Sequence, residues 1–212
     1  MRFNSPLPKQ FLELAGKPII YFSLKLFARY ADEVVLVLPQ SHIPVWRDLC
    51  KSYGIEIDHK VAIGGSTRTE SVKSGLDALK ECNSVIAIHD AVRPLISPEL
   101  IQNLYDAAAE SNTAIPVIPI KDSLRKVSRN GDNEAVERSN YQIVQTPQVF
   151  TSKIVRGAYQ SIDNQEYTDD ASVVEQSGAP INICKGEAWN MKITLPEDLI
   201  VAEALISSSK PY

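Results

Sequence analysis

Asp90 and Arg93 stand together at the end of the run Ser84-Val-Ile-Ala-Ile-His-Asp-Ala-Val-Arg-Pro94. The apolar part, Val85 to Ile88, is too short and too β-branched for a helix and reads as a buried strand. In open α/β sheets, ligands bind outside the carboxyl ends of the strands. Asp90 and Arg93 therefore share such an end, the carboxylate suited to a hard cation and the guanidinium to an anion. That pairing is chemistry for a metal ion with a phosphate-bearing substrate. The same two residues would also serve as a helix-capping aspartate and a surface arginine.

Four other places carry candidate chemistry. Lys9 lies in Pro8-Lys9-Gln10, with Arg2 upstream in the same Pro-rich segment. Two cations in non-helical chain suit either a polyanion or plain solvation. Gly64-Gly65-Ser66-Thr67-Arg68 opens a helix, where backbone N–H groups and the helix dipole favour anions or base carbonyls. Arg138 precedes Gln145-Thr-Pro-Gln148. Lys192, flanked by apolar residues in Asn190-Met-Lys-Ile-Thr194, either snorkels or faces a polar cleft.

The elements that must position these residues alternate between helix and strand. Apolar spacing predicts a helix from Pro18 to Tyr30, a strand from Glu33 to Leu38 and a helix from Val45 to Tyr53. A strand within Ile55–Ile63 leads to the Gly-Gly turn. Thr67 and Glu70 have the spacing of a capping box, with helix continuing from Ser71 to Lys80. Ser97-Pro98-Glu99 starts a helix running to about Glu110, and Ala114–Ile120 is an apolar strand. From Lys121 the pattern turns polar and pivots on Asn130-Gly131, a hairpin signal. A two-stranded ribbon is marginal alone in water. The hairpin is therefore expected to project and pair with a second subunit, or else to remain a solvated surface feature. Helices follow over Thr151–Ser161 and Asp169–Gln176, strands over Ile181–Cys184 and Met191–Thr194, and a terminal helix over Pro196–Ile206. The whole reads as one domain, residues 1–212, with the arm at 121–142 as an insertion.

Composition narrows the class. At 212 residues, 44% hydrophobic and 23% charged, the chain is an ordinary single α/β domain. A net charge of −4 argues against non-specific binding to nucleic acid. Cys50, Cys82 and Cys184 are odd in number and widely spaced, as inert thiols in a reducing cytoplasm would be. No apolar run approaches the 18 or so residues of a membrane span, and no signal peptide is evident. A cytoplasmic location is expected.

Six motifs in order give a sharper reading. Pro8-Lys-Gln10, Gly64-Gly65…Arg68…Ser71, His89-Asp-Ala-Val-Arg-Pro94, Thr146-Pro-Gln148, Thr168-Asp-Asp-Ala171 and Asn190-Met-Lys-Ile-Thr-Leu-Pro-Glu-Asp-Leu199 resemble the 2-C-methyl-D-erythritol 4-phosphate cytidylyltransferase family. The resemblance covers essentially the whole chain. It implies a Rossmann-like nucleotidyltransferase fold, with a mostly parallel sheet flanked by helices and a projecting β-hairpin arm. It further implies a homodimer joined through that arm, and Mg²⁺-dependent transfer of CMP from CTP to the sugar-alcohol phosphate of the non-mevalonate isoprenoid pathway. Arg2 and Lys9 match cations that stabilise the transition state at the α-phosphorus. Arg138, acting from the partner's arm, and Lys192 match the pair that positions the substrate phosphate. Asp90 matches the residue near the metal and the sugar-alcohol hydroxyls. Arg93, Ser123 and Thr146 match further substrate contacts, and Gly65, Ser66, Arg68, Ser71 and Ala91 the cytidine-binding segment. His89 is expected to be a packed strand-end residue.

The chain departs from the family at its start. Family members open with a buried strand and a Gly-rich loop that wraps the triphosphate and leads to the position of Arg2. This sequence starts at Met1-Arg2, so the sheet is expected to want a strand. A sequence that begins late accounts for this better than a shortened enzyme, since the other site residues are present. Ser66 stands where an acidic residue is common, Ser123 keeps the hydroxyl of a usual threonine, and the arm is slightly short. Two other readings compete: a ribitol-5-phosphate cytidylyltransferase, which shares most motifs, and a truncated, non-catalytic dimer. The return Val136-Glu-Arg-Ser139 favours the methylerythritol enzyme over the first.

Overall fold

The computed structural model describes residues 7–80, 84–162 and 167–208; Arg2 and Cys82 lie outside them. In chain order the elements are β1 (Glu13–Leu14), β2 (Lys17–Pro18), α1 (Ile19–Tyr30), β3 (Val35–Leu38), α2 (Ile43–Tyr53), β4 (Lys60–Ile63), α3 (Arg68–Ala78), β5 (Val85–Ile88) and α4 (Pro98–Ser111). They continue with β6 (Thr113–Pro119), β7 (Leu124–Val127), β8 (Asn133–Val136), β9 (Gln142–Val144), β10 (Gln148–Thr151), α5 (Ser152–Ser161), α6 (Asp170–Gln176), β11 (Ile183–Lys185) and α7 (Pro196–Ser207).

Side-chain alternation along the strands builds two helical layers on one sheet. Ile86 and Phe150 point to one face, where they pack with Leu76 of α3, Val155 and Tyr159 of α5 and Val173 and Val174 of α6. Their neighbours Val85, Ala87 and Val149 point to the other, against Phe27 of α1 and Leu100, Ile101, Leu104 and Ala108 of α4. Burial on that face is what gives α4 its helix, with Ser97 Oγ accepting the Leu100 N–H at 3.0 Å to cap its start. The main sheet runs β11-β6-β10-β5, with β9 also on β6, while β3 and β4 pair apart from it. The β6–β11 and β3–β4 pairs are parallel, and β10 runs antiparallel to both β5 and β6. β5, β6 and β11 thus share one direction.

Three sequence expectations need correction. β9 and β10 were not foreseen: β9 is short and exposed, and β10 begins with a glutamine. Gln148 is nonetheless fully buried, because Asp169 and the Ala171 N–H satisfy its amide at 2.9 and 2.7 Å. Met191–Thr194 is not a strand. Ile193 N–H donates to Val92 O at 2.8 Å and Thr194 N–H to the Asp198 carboxylate at 2.7 Å, so no ladder forms.

Among the described residues β3 pairs only with β4 and β5 only with β10. Between these two strands runs a groove of about 1040 Å³, lined by Val35, Val37, Val85, Ile86 and Ala87 and floored by α1, α3 and α4. The carboxyl ends of β3 and β5 meet again at a smaller cleft beyond the groove, bordered by Leu38, Pro39, Asp90 and Ala91.

The arm is the β7–β8 hairpin, turned at Gly131 with φ +93°, a conformation glycine adopts without steric cost. Almost all of it is exposed. Its cross-strand Lys126–Glu134 pair at 3.2 Å is solvated and contributes little. Cys50 and Cys184 are free thiols, both held more firmly protonated by partial burial. No helix among the described residues is long and apolar enough to cross a membrane.

Candidate active site at the carboxyl ends of the strands

The chain leaves β5 through His89 and Asp90 and turns back at Arg93, whose N–H donates to Asp90 O at 3.0 Å. This turn puts both side chains of the pair on one side. Asp90 Oδ2 receives Arg93 Nε at 3.3 Å and Lys192 Nζ at 3.0 Å. Burial alone would raise the Asp90 pKa, but the Lys192 and Arg93 charges outweigh it and hold the carboxyl below its usual range. Arg93 is itself only 11% exposed in its side chain, and burial lowers its pKa despite Asp90. Its Nη1 donates to Asn190 O at 2.8 Å, which clamps the β5 end to the segment carrying Lys192.

A second chain of bonds fixes Asp90 from behind. Its N–H donates to Thr146 Oγ1 at 3.0 Å, and Thr146 Oγ1 lies 3.1 Å from His89 Nδ1. His89 Nε2 lies 3.1 Å from Arg93 O, which can only accept, so Nε2 carries the proton and Nδ1 accepts from Thr146. Burial against Phe27, centroid to centroid 4.8 Å, lowers the His89 pKa to about 4, so the ring is neutral near pH 7. His89 is a structural relay that orients Thr146 and Arg93, in line with its sequence assignment.

Lys9, Gln10, Asp90, Ala91, Val92 and Lys192 border one cleft of about 250 Å³ at this end of the sheet. Two cations, Arg93 and Lys192, thus contact a single carboxylate, and Lys9 borders the same cleft. Such an excess of positive charge suits phosphate groups. Lys192 faces the polar cleft, settling the alternative that its sequence setting left open.

The Gly-Gly segment is built differently from its sequence reading. The Thr67–Glu70 capping box forms as the spacing predicts. The Glu70 carboxylate, however, accepts the Ser66 N–H at 2.6 Å, the Ser66 hydroxyl at 2.6 Å and the Thr67 N–H at 3.2 Å. Those two N–H groups are therefore already engaged by the chain's own anion. Gly65 is required by this fold-back, since a Cβ there would fall 2.3 Å from Glu70 Cβ. Arg68 is not free either. It makes a two-pronged pair with the fully buried Asp170 at 2.8 and 2.5 Å, and Tyr159 OH adds a third bond at 2.5 Å. Burial works against the Arg68 charge, but Asp170 more than compensates and raises its pKa; the Tyr159 hydroxyl is likewise held protonated by burial and Asp170. Ser71 and Arg68 line the groove beside Asp90 and Ala91.

The structure does not bring every candidate together. Arg138 and Ser123 sit exposed at the base of the arm, with Arg138 Nη1 bonded to Lys121 O, and neither lines the groove or the cleft. Arg2 lies outside the described residues. Sequence reasoning missed Asp170, which secures Arg68, and the buried pair Gln145 and Asn190 with the partly buried Glu187. Gln145 Nε2 donates to Glu187 O at 2.8 Å and Asn190 O at 3.2 Å. The signal was available, since Asp170 and Asn190 both lie inside motifs set apart for their order. No group of three or more His, Cys, Asp or Glu able to hold a metal occurs among the described residues.

Residues 1–208 match the family described as IspD: 2-C-methyl-D-erythritol 4-phosphate cytidylyltransferase. The chain is 43% identical over 208 residues to the Bacteroides fragilis enzyme of that name, covering 97% of this chain and 94% of the relative. The enzyme of the same name from Azobacteroides pseudotrichonymphae is 44% identical over 213 residues, at 97% and 93% coverage. Among solved structures, that of the Thermus thermophilus 2-C-methyl-D-erythritol 4-phosphate cytidylyltransferase superposes with a TM-score of 0.82 at 34% identity, covering 94% of each chain. The 4-diphosphocytidyl-2C-methyl-D-erythritol synthase of Anaerococcus prevotii gives 0.84 at 26% identity, covering 96% of this chain and 92% of the other.

Proposed function

Since this chain belongs to the 2-C-methyl-D-erythritol 4-phosphate cytidylyltransferase family, we propose that its Asp90–Arg93–Lys192 cluster seats the phosphates of the reaction that family catalyses. The chain is a cytidylyltransferase of isoprenoid biosynthesis, with the nucleotidyltransferase fold of its relatives. A phosphate oxygen of the sugar-alcohol substrate attacks the α-phosphorus of CTP. The bond from that phosphorus to the β-phosphate oxygen breaks, and pyrophosphate leaves with the electron pair.

The residues suit that chemistry. A phosphate monoester with a second pKa of about 6 is already largely dianionic at neutral pH, so no general base has to remove a proton. What opposes reaction is the approach of two polyanions and the charge gathering on the leaving group. Fixed cations and a metal ion address both by positioning and electrostatic stabilisation. Lys192 is half open to the cleft, so it can meet the attacking phosphate while Asp90 limits its swing. Lys9 borders the same cleft and fits the α-phosphate. Arg138 lines neither the groove nor the cleft of its own subunit, which supports a role across a homodimer.

A single carboxylate makes a poor protein cage for Mg²⁺ but fits an ion that arrives on substrate phosphates, the usual mode for this metal. Asp90 would be its one protein ligand, through the oxygen that Lys192 and Arg93 leave open, and the ion would supply charge neutralisation at the phosphates.

The observation that carries this reading is the meeting of Lys192 and Arg93 on one oxygen of Asp90, beside Lys9. Pyrophosphate release with CTP, Mg²⁺ and methylerythritol phosphate tests it. Turnover should fall by about 100-fold or more in Lys192→Ala. Faster turnover with ribitol 5-phosphate would overturn the substrate assignment.

A further inference from the structure

Asn190 is fully buried although no sequence argument gives it chemistry. Its side-chain Nδ2 donates to Thr146 O at 2.8 Å. Its backbone O accepts from Arg93 Nη1 at 2.8 Å and Gln145 Nε2 at 3.2 Å, and its N–H donates to Glu187 O at 3.1 Å. Its Oδ1 meets no donor among the described residues. A buried amide half unsatisfied is a poor choice for stability alone, where an apolar side chain of like size would serve.

The bonds do, however, converge on the site. Thr146 receives the Asp90 N–H, Arg93 bonds Asp90 Oδ2, and Lys192 lies two residues beyond Asn190. On the far side of Lys192, the buried Ile193 is pinned by its N–H to Val92 O. Lys192 is thus carried on an irregular segment anchored to the β5 end on both sides, by Asn190 before it and Ile193 after it.

We propose that Asn190 is a positioning residue for Lys192 and Arg93: its amide fastens the 190–193 segment to the Thr146 loop, and so fixes both cations on Asp90. This rests on the assignment of that cluster to the substrate phosphate. Only a donor fits, because the partner is a carbonyl. A carboxylate at 190 would oppose its lone pairs to those of Thr146 O, whereas a protonated carboxyl could donate in place of the amide.

Steady-state kinetics on Asn190→Ala and Asn190→Asp test this, with Leu104→Ala, remote in α4, as a control for lost stability. In Asn190→Ala, kcat/KM for methylerythritol phosphate should fall by about 30-fold or more while KM for CTP stays within about threefold. Leu104→Ala should leave both within about threefold at a temperature where it is folded. Burial raises the pKa of the new carboxyl in Asn190→Asp, so its activity should be closest to wild type near pH 6 and fall as pH rises. Hydrogen exchange gives a readout free of catalysis: the Ile193 amide should exchange at least about tenfold faster in Asn190→Ala, with β5 unchanged. Unaltered exchange at Ile193, or equal losses toward both substrates, would overturn the proposal. Wild-type protein with no turnover, but with the exchange difference present, would instead indict the substrate assignment and leave the positioning role standing.

Discussion

At the scale of single residues, the site couples chemistry to stability through two polar centres, one partly buried and one fully buried. His89 has a pKa of about 4 in the fold against 6.5 when free. The unfolded chain therefore binds a proton that the folded chain refuses between those values. Stability is full above about pH 6.5 and declines as pH falls toward 4. Because the ring is partly open to the groove, we expect about 1–3 kcal/mol from this source. Urea unfolding at about pH 7.5 and pH 5 should show a larger loss in wild type than in His89→Gln, and equal losses would refute the assignment. Asp170 is the second centre. Asp170→Asn leaves Arg68, about a third exposed in its side chain, without its counter-charge at a fully buried position, which costs about 3 kcal/mol. Its Tm should fall by roughly 10 °C, with KM for CTP rising because Arg68 is released. A variant of unchanged Tm would show that solvent readily replaces the pair.

At the scale of elements, the facing strands β3 and β5 are the notable feature. Each leaves one row of backbone N–H and C=O groups unpaired by strand among the described residues, across an apolar groove. Open edges of this kind invite another strand. Lys9 and Gln10 border the cleft where both strands end. A strand lying in the groove parallel to β5 would finish at the same cleft. A free apolar peptide of about five or six residues, added in excess, should therefore raise Tm by a few degrees. The same peptide with a central proline should not. Equal effects from the two peptides would mean that the groove does not accept a strand. The β7–β8 arm, by contrast, is almost wholly exposed in its own subunit.

At the scale of the molecule, exposed apolar side chains gather near the arm: Val127 on β7, Tyr141 before β9, and Ile143 and Val144 on β9. A second copy of the chain is the occupant we propose for this surface. If Arg138 then serves the neighbouring cleft, mixing Arg138→Ala with Lys192→Ala subunits should restore about a quarter of wild-type activity, because half the dimers hold one intact site. If Arg138 serves its own subunit, the mixture stays as inactive as its parts. Sedimentation at micromolar concentration checks the premise, and a monomeric mass would remove it.

The sequence by itself determined the helices α1 to α4, the strand β5 and the hairpin at Asn130-Gly131, because periodicity, caps and turn residues act over a few positions. It also determined that Asp90 and Arg93 share a strand end, since three residues of chain cannot carry them far apart. Motif order then identified the family without any contact being known. Only the tertiary structure decided that Lys192 reaches Asp90 across about a hundred residues of chain, and that Asp170 claims Arg68 first. It alone decided that Gln148 and Asn190 are interior. Burial and charge pairing depend on which distant elements pack together, and a polar residue in a short strand looks the same in sequence whether it faces solvent or a satisfied partner in the core.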